Sequence, residues 1–182
     1  MTNGILSKHI GMIAVGSGLL AVSVYLSMIN VTLAHLESVS GHAPFDMRPF
    51  GYSPADAATI LDTLGVDGRE YYLRHQIPRD TLYPALLALT LTATICWFGQ
   101  RMPNSTLVRH GVALSVGSAV FDYIENLSIM AMIWRWPDVS APLVYAASTA
   151  TIIKSVITTL AVLLVFLIGF IWSRWPKAGL RQ

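Results

Sequence analysis

The stretch "HGVALSVGSAVFDYIENLSIMAMIW", residues 110–134, is apolar along most of its length but contains two acids and an amide, Asp122, Glu125 and Asn126. It is long enough for an α-helix that crosses a bilayer, which needs about 20 residues. A charge at the centre of such a helix costs roughly 2.5–3.5 kcal/mol, whereas each apolar residue gains only roughly 0.3–0.6 kcal/mol. We therefore expect a spanning helix whose acids face protein or a water-filled cavity rather than lipid.

The whole chain has the composition of a membrane protein. Of its 182 residues, 54% are apolar and only 12% are charged, and the mean hydropathy is +0.56. Besides the quoted stretch, three apolar segments can span a bilayer, at about 10–34, 82–98 and 142–172. The sequence predicts an all-α fold, a four-transmembrane-helix bundle that forms one membrane domain over residues 1–182.

The long connection between the first two spans is predicted to carry a helical cap. "YSPADAATILDTLG", residues 52–65, has Ser53 at the N-cap and Pro54 at the first helical position. "GREYYLRHQIP", residues 68–78, favours a second short helix that its final proline ends. Together they predict a short amphipathic cap at about 53–77 in the first extracytoplasmic loop, which either gates the bundle or merely covers it.

Charges between the spans predict the orientation. Both termini and the 99–110 loop share one side, which carries six basic residues and no acid: Lys8, Arg101, Arg109, Arg174, Lys177 and Arg181. The positive-inside rule places that side in the cytoplasm. Aromatic belts are predicted at the inner interface from Trp97, Trp172 and Trp175, and at the outer interface from Trp134 and Trp136.

The run from residue 51 to 84, followed by "DYIEN" at 122–126, resembles bacterial four-span membrane proteins. The resemblance implies a multi-pass protein of the bacterial inner (plasma) membrane and carries no activity.

Two polar stripes are predicted to face each other between the third and fourth spans. Steps of three or four residues put one set on one helix face: Ser115, Ser118, Asp122, Glu125 and Asn126. The fourth span has a matching set: Thr151, Lys154, Ser155 and Thr158. Asp122 and Lys154 both lie roughly 18 Å below the outer ends of their helices. The short turn between these helices makes them antiparallel neighbours. We therefore expect an Asp122–Lys154 pair, with Glu125 one turn nearer the outer face and without a basic partner.

These stripes give the candidate site. The proposed catalytic set has Glu125 as general acid or base, Asp122 as ionised partner of Lys154, and Asn126 orienting the substrate. The proposed substrate-binding residues come from all four spans: Asn30, Tyr25, Tyr83, Asp80, Ser118 and Thr158. For Asp80, capping of the second span is the favoured explanation over a catalytic role.

No cofactor or metal is predicted. No histidine lies inside a span, and the acids and histidines after the first span, His35, Glu37, His42 and Asp46, match no compact zinc motif. A net charge of +2 gives no argument for nucleic acid, and the single cysteine, Cys96, excludes an internal disulfide and a CxxC redox pair.

Two classes of function fit the stripes. The first is an enzyme of isomerase or cyclase type that moves a proton on a lipophilic substrate, such as an isoprenoid, a sterol-like lipid or a quinone. The alternative is a non-catalytic membrane subunit or carrier that binds a pigment, quinone, proton or partner helix through the same residues. The expected partners are membrane lipid or another lipophilic small molecule, and further membrane subunits or copies of the chain in a homo-oligomer. A purely structural role of the ion pair, as a staple between helices, is the third interpretation.

Overall fold

The computed structural model describes residues 3–102 and 105–174, which are helical almost throughout and contain no strand. Seven α-helices follow one another in this part of the chain: α1 (Asn3–Ser27), α2 (Leu33–Ser40), α3 (Pro54–Thr63), α4 (Gly65–Tyr71), α5 (Ile77–Gly99), α6 (Thr106–Arg135) and α7 (Ala141–Arg174). Two π-helical segments, Met28–Thr32 and Tyr72–Gln76, join α1 to α2 and α4 to α5 without a break.

Four helical stretches are long and apolar enough to cross a membrane: His9–Ser40, Gly65–Gly99, Thr106–Arg135 and Ala141–Arg174. They confirm the predicted four-helix membrane bundle, and the chain is a multi-pass membrane protein. The first stretch extends six residues beyond the predicted end near residue 34, and the second begins well before residue 82. The ends of both helices are more polar than their centres, so each helix is longer than the apolar segment from which its span was predicted.

The helices pack in a defined order. Within the described residues, α1 packs along α5, α6 packs along α7, and α5 contacts both α6 and α7. No extensive packing joins α1 to α7 in that part of the chain. The bundle is therefore open on one side, between α1 and α7, toward the surrounding lipid. We call the end of the bundle that carries α3 the cap end, and the end where α5 connects to α6 the opposite end.

The cap differs from the prediction in its second half. Pro78 was expected to end a short helix, but it lies in the first turn of α5 and the helix continues past it to Gly99. The π-helical segment Tyr72–Gln76 directly before Pro78 already interrupts the regular α-helical hydrogen-bond pattern, so a proline is tolerated there. Consequently α3 alone forms a separate cap helix, and α4 extends the second span toward the cap.

Helix α3 begins as its sequence predicts. The Ser53 hydroxyl accepts a hydrogen bond from the Asp56 backbone N–H at 3.1 Å, and the Ser53 N–H donates to the Asp56 carboxylate at 2.9 Å. This capping box satisfies two backbone donors. The hydrogen bond from the Ser53 hydroxyl holds the pKa of the exposed Asp56 carboxyl below its ordinary value. The apolar stripe of α3 then packs into a buried core with α2, α6 and α7, which includes Leu36, Ile60, Leu61, Ile129 and Met132.

The predicted aromatic belts lie at opposite ends of the bundle. Trp97 and Trp172 flank Phe98 at the opposite end, with ring centroids 5.5 Å and 5.3 Å from it. Trp134 is exposed at the cap end of α6. Trp175, Lys177 and Arg181, which entered the orientation argument, lie outside the described residues, as does the side chain of Lys8. Which end faces the cytoplasm therefore stays a prediction.

Candidate functional site

Lys154 lies at the centre of the polar stripe between α6 and α7. Its ammonium group is 3.7 Å from a carboxylate oxygen of Asp122 and forms a closer ion pair with Glu125. The predicted Asp122–Lys154 contact is present, but the expectation that Glu125 lacks a basic partner is wrong. Asp122 and Glu125 are three residues apart on one helix face, and the long lysine side chain reaches both.

Glu125 is fully buried and tied to α7 twice. Its second carboxylate oxygen accepts a hydrogen bond from the Thr151 hydroxyl at 2.6 Å, while Lys154 binds the first. Because its side chain is fully buried and does not border the cavity described below, Glu125 holds Lys154 in place from behind.

Tyr52 is a site residue that the sequence analysis missed. It belongs to the loop of residues 45–52, and its hydroxyl lies beside Thr151 and Glu125. Its backbone N–H donates to the Ser148 hydroxyl at 2.9 Å. Burial raises the pKa of the Tyr52 hydroxyl above its usual range, and the charge of Glu125 adds to the effect, so Tyr52 stays a neutral hydrogen-bond donor.

Gly51 explains how the loop approaches α7 so closely. Its φ of +83° lies in the left-handed region, and a Cβ atom there would collide with the Ser148 hydroxyl. Only glycine satisfies both conditions without strain. The dipeptide Gly51–Tyr52 was thus the one local signal in the sequence for a loop pressed against a helix.

A second pair of acids lies across the cavity from the lysine. Asp80 of α5 is only 3% exposed, and it interacts with Asp46 from the 45–52 loop. The other Asp46 oxygen accepts a hydrogen bond from the hydroxyl of Tyr72, which is itself fully buried. Apart from the contact between the two acids, Oδ1 of Asp46 and Oδ2 of Asp80 are buried without a hydrogen-bond partner.

This placement corrects two expectations. Asp80 was also explained as a helix cap, but the start of α5 has no side-chain cap hydrogen bond, and the carboxyl points into the bundle instead. Asp46 was grouped with the histidines that follow the first span, whereas the structure brings it to the site. It lies in a single 3-10 turn, Phe45–Met47, which is too short to give a periodic pattern, so nothing in the spacing could indicate that Asp46 points inward.

A cavity of about 460 Å³ lies between α1, the 45–52 loop, α5 and α7. Six of the residues proposed from the sequence border it: Tyr25, Asp80, Tyr83, Asp122, Lys154 and Thr158. The Tyr25 and Tyr83 rings stack with their centroids 5.6 Å apart. Ser118 stands behind the wall and shares a hydrogen bond with Thr158.

Two amides proposed for the site have other roles in the structure. Asn126 is buried and donates a hydrogen bond to the Asp80 backbone carbonyl at 2.8 Å, so it fixes α6 against α5 beside the acid. Asn30 is exposed, and its amide donates to the Leu26 carbonyl of its own helix. The structure therefore excludes Asn30 from the cavity. It lies in the π-helical segment Met28–Thr32, of which Met28 and Ile29 border the cavity instead.

The charges of the site do not balance if every acid is ionised. Asp46, Asp80, Asp122 and Glu125 all lie within electrostatic range of Lys154, the one basic side chain among them. Several uncompensated carboxylates in a low-dielectric interior are strongly disfavoured. Protonation of one or more of these carboxyl groups would reduce the imbalance.

Within residues 3–102 and 105–174, no group of three or more histidine, cysteine, aspartate or glutamate residues is arranged to hold a metal ion. Comparisons of the chain with protein-family models, curated proteins and solved structures gave no match. The geometry and chemistry of the cavity are therefore the basis on which its function is inferred.

Proposed function

We propose that this chain is an integral membrane enzyme that moves a proton to or from a lipophilic substrate bound in the cavity. The observation that carries the proposal is the wall of carboxyl groups, Asp46, Asp80 and Asp122, facing a single ammonium group. General acid–base catalysis requires groups that can hold and release a proton beside the substrate. Intramembrane acids that exceed their basic partners are costly to keep for structure alone.

Asp80 is the best-placed general acid or base. It borders the cavity, has a buried oxygen without a partner, and forms no ion pair with a basic side chain of the described residues. Asp122 and Lys154 balance each other beside it, and Asn126 fixes its backbone. Glu125, proposed from the sequence for the proton transfer, does not border the cavity, so we assign it the positioning of Lys154.

The reaction class that fits these groups is a double-bond shift or a ring closure. Asp80 gives its proton to one carbon of an alkene, and a neighbouring carboxylate takes a proton from another carbon. No electrons leave the substrate, so neither an oxidant nor a cofactor is required. The apolar half of the cavity, which Met28, Leu33 and Leu87 form, suits an isoprenoid, a sterol-like lipid or a quinone.

Deuterium incorporation tests proton transfer without knowledge of the substrate. Purified protein is incubated in deuterated water with nanodiscs made from the lipids of its host membrane, and the lipids are analysed by mass spectrometry. We expect at least one lipophilic species to gain a carbon-bound deuterium. An isomerisation leaves the mass unchanged in ordinary water, so the label also reveals a product that is otherwise hidden.

Two variants identify the residue that transfers the proton. Asp80→Asn keeps the shape but cannot exchange a proton, so we expect labelling to fall on the order of a hundredfold or more. Glu70→Gln is the matched control, because Glu70 pairs with Arg74 on the exposed surface. Unchanged labelling in Asp80→Asn would remove Asp80 from the mechanism. Loss in Glu125→Gln with full labelling in Asp80→Asn would return the transfer to Glu125.

A second candidate function is supported by the exposure of α7. Eight of its large apolar side chains, among them Val156, Leu163 and Phe166, are exposed in the single chain. A partner membrane subunit or a second copy of the chain could pack there, as the binding-subunit alternative requires. Absence of labelling together with co-purification of a stoichiometric lipid, pigment or subunit would favour that alternative.

The orientation belongs to the same proposal. We infer that the cap end faces the outside of a bacterial inner membrane and that both termini are cytoplasmic, from the charge bias of the connections. A reporter inserted in the connection before α3 should be active only outside, and one fused at Arg101 only in the cytoplasm. A cytoplasmic signal from the insertion before α3 would invert the topology.

A further inference from the structure

Two buried carboxyl oxygens at the wall of the cavity receive no donor from the rest of the described chain. Apart from the contact between the two acids, Oδ2 of Asp80, whose side chain is 3% exposed, and Oδ1 of Asp46 have no hydrogen-bond partner. The Tyr72 hydroxyl binds the other Asp46 oxygen, and the Thr158 hydroxyl binds the Lys154 carbonyl. A ligand that satisfies these two oxygens must therefore bring a donor of its own.

The charge of the wall points in the same direction. Four carboxyl groups share one ammonium group, which is already bound by Asp122 and Glu125. A carboxylate or phosphate head group would add negative charge without finding a free basic side chain among the residues that border the cavity. A positive charge or a hydroxyl would instead reduce the imbalance.

The open side of the bundle provides a route by which a ligand can enter the cavity. Because α1 and α7 are not packed along each other, the cavity opens between them, with Tyr25 on one edge and Thr159 on the other, and both are exposed. Apolar side chains of α1 and α5 form the remaining wall: Met28, Ile29, Leu33 and Leu87. A head group next to Asp80 thus leaves its hydrocarbon chain directed toward the lipid.

We propose that the cavity selects a membrane lipid whose head group is a primary amine or an alcohol, excludes anionic head groups, and admits the lipid sideways between α1 and α7. The proposal rests on the cavity assigned above as the substrate site, and it adds the chemistry of the head group and the path of entry. A protonated amine binds more tightly than an alcohol, because it both donates hydrogen bonds and offsets a carboxylate.

Three probes with the same hydrocarbon chain test the selection: stearylamine, stearyl alcohol and stearic acid. Binding to the purified full-length protein in nanodiscs of neutral lipid is measured at neutral pH by native mass spectrometry and by the shift in Tm. We expect the order of affinity to be amine, then alcohol, with no detectable binding of the acid. Stearic acid that binds as tightly as stearylamine would overturn the proposal.

Substitution of Asp80 separates binding at the site from partition into the nanodisc. Asp80→Asn should weaken stearylamine about tenfold to a hundredfold, the loss expected for one charge-assisted hydrogen bond, and stearyl alcohol by much less. Glu70→Gln should leave both affinities unchanged, because that residue lies on the exposed surface. Equal affinities of the Asp80→Asn variant and the unmodified protein for stearylamine would contradict the assignment.

A bulky side chain at the opening tests the route. Thr159→Trp should slow the uptake of stearylamine and stearyl alcohol alike, whereas Leu163→Trp, one turn further along the exposed face of α7, should not. Unchanged uptake in Thr159→Trp would exclude sideways entry.

The outcomes of these binding experiments remain distinct from those of the deuterium experiment. Selective binding without deuterium labelling would contradict the proposed proton transfer but not the head-group selection. Labelling of an anionic lipid would contradict the head-group selection but not the proton transfer.

Discussion

The two ends of the bundle are packed by different kinds of side chain. At the cap end, large buried residues such as Leu36, Phe45 and Tyr72 pack around α3, next to the buried acids and Lys154. Toward the opposite end, the contact between α1 and α5 uses small residues, with Gly18 against Thr90 and Ser17 bonded to the Thr90 hydroxyl at 2.9 Å. The cap end has the core of a water-soluble domain, whereas the rest has the close helix contacts that are typical of membranes.

This difference indicates how each end is stabilised. In lipid, burial of a leucine gains little, because lipid tails are as apolar as a protein core. Where water reaches the surface, as at the cap, burial of apolar area contributes roughly 25 cal/mol per Å². The cap therefore contributes hydrophobic stabilisation, which offsets the energetic cost of the buried charged groups next to it. Substitutions at the cap end should accordingly have the larger effects.

The largest effect is expected from Lys154→Met. It leaves Asp122 and Glu125 without their common cation, and removal of one member of a buried pair costs about 3–5 kcal/mol. Because Glu125 makes the closer contact, Glu125→Gln should restore more of the lost stability than Asp122→Asn does in the Lys154→Met background. Thermal unfolding of the single and double variants in detergent measures both effects. Equal recovery by the two substitutions would show that Lys154 does not distinguish its partners.

Much of this arrangement could be predicted from the sequence. The features that could not be predicted were missed for identifiable physical reasons. Hydropathy gives the four spans, and counting from the helix ends gives the depth that brings Asp122 to Lys154. The reach of a lysine across one helical turn is not visible in spacing, which is why its contact with Glu125 was missed. Nor does spacing report on the 45–52 loop, which contributes Asp46 and Tyr52.

Two departures from regular helix geometry lie where other predictions were wrong. A regular 3.6 residues per turn was expected throughout, but π-helical segments interrupt the first two spans at Met28–Thr32 and Tyr72–Gln76. The first contains Asn30, which is exposed and does not border the cavity, and the second lies directly before Pro78, where the helix was expected to end. Both segments are near the site, and π-helical turns are frequent at functional sites. The sequence has no simple signal for them.

A smaller effect is expected from Leu61→Ala in α3. Leu61 is fully buried in the core of the cap end, and loss of such a side chain should cost about 2–3 kcal/mol. The cost is limited because a peripheral helix can shift to fill part of the space that the leucine leaves. Leu26→Ala in α1 is the matched control, because that leucine is 49% exposed on a membrane span. We expect its cost to be much smaller. Equal losses in the two variants, measured by thermal unfolding, would contradict the distinction between the two kinds of packing.

The smallest effect concerns the start of α3. Ser53→Ala removes the hydroxyl that accepts from the Asp56 N–H and should cost about 1 kcal/mol of cap stability.

The capping box should also make the stability of α3 depend on pH. The depressed pKa of Asp56 gives a contribution that is complete above the ordinary carboxyl pKa and disappears as pH falls through the lower, folded value. Hydrogen exchange of the α3 amides, measured relative to the intrinsic rate at each pH, should therefore rise in acid for the unmodified protein. In Asp56→Asn this acid-dependent rise should be reduced, because the substituted side chain does not titrate. An equal rise in both proteins would show that the capping box does not link the cap to pH.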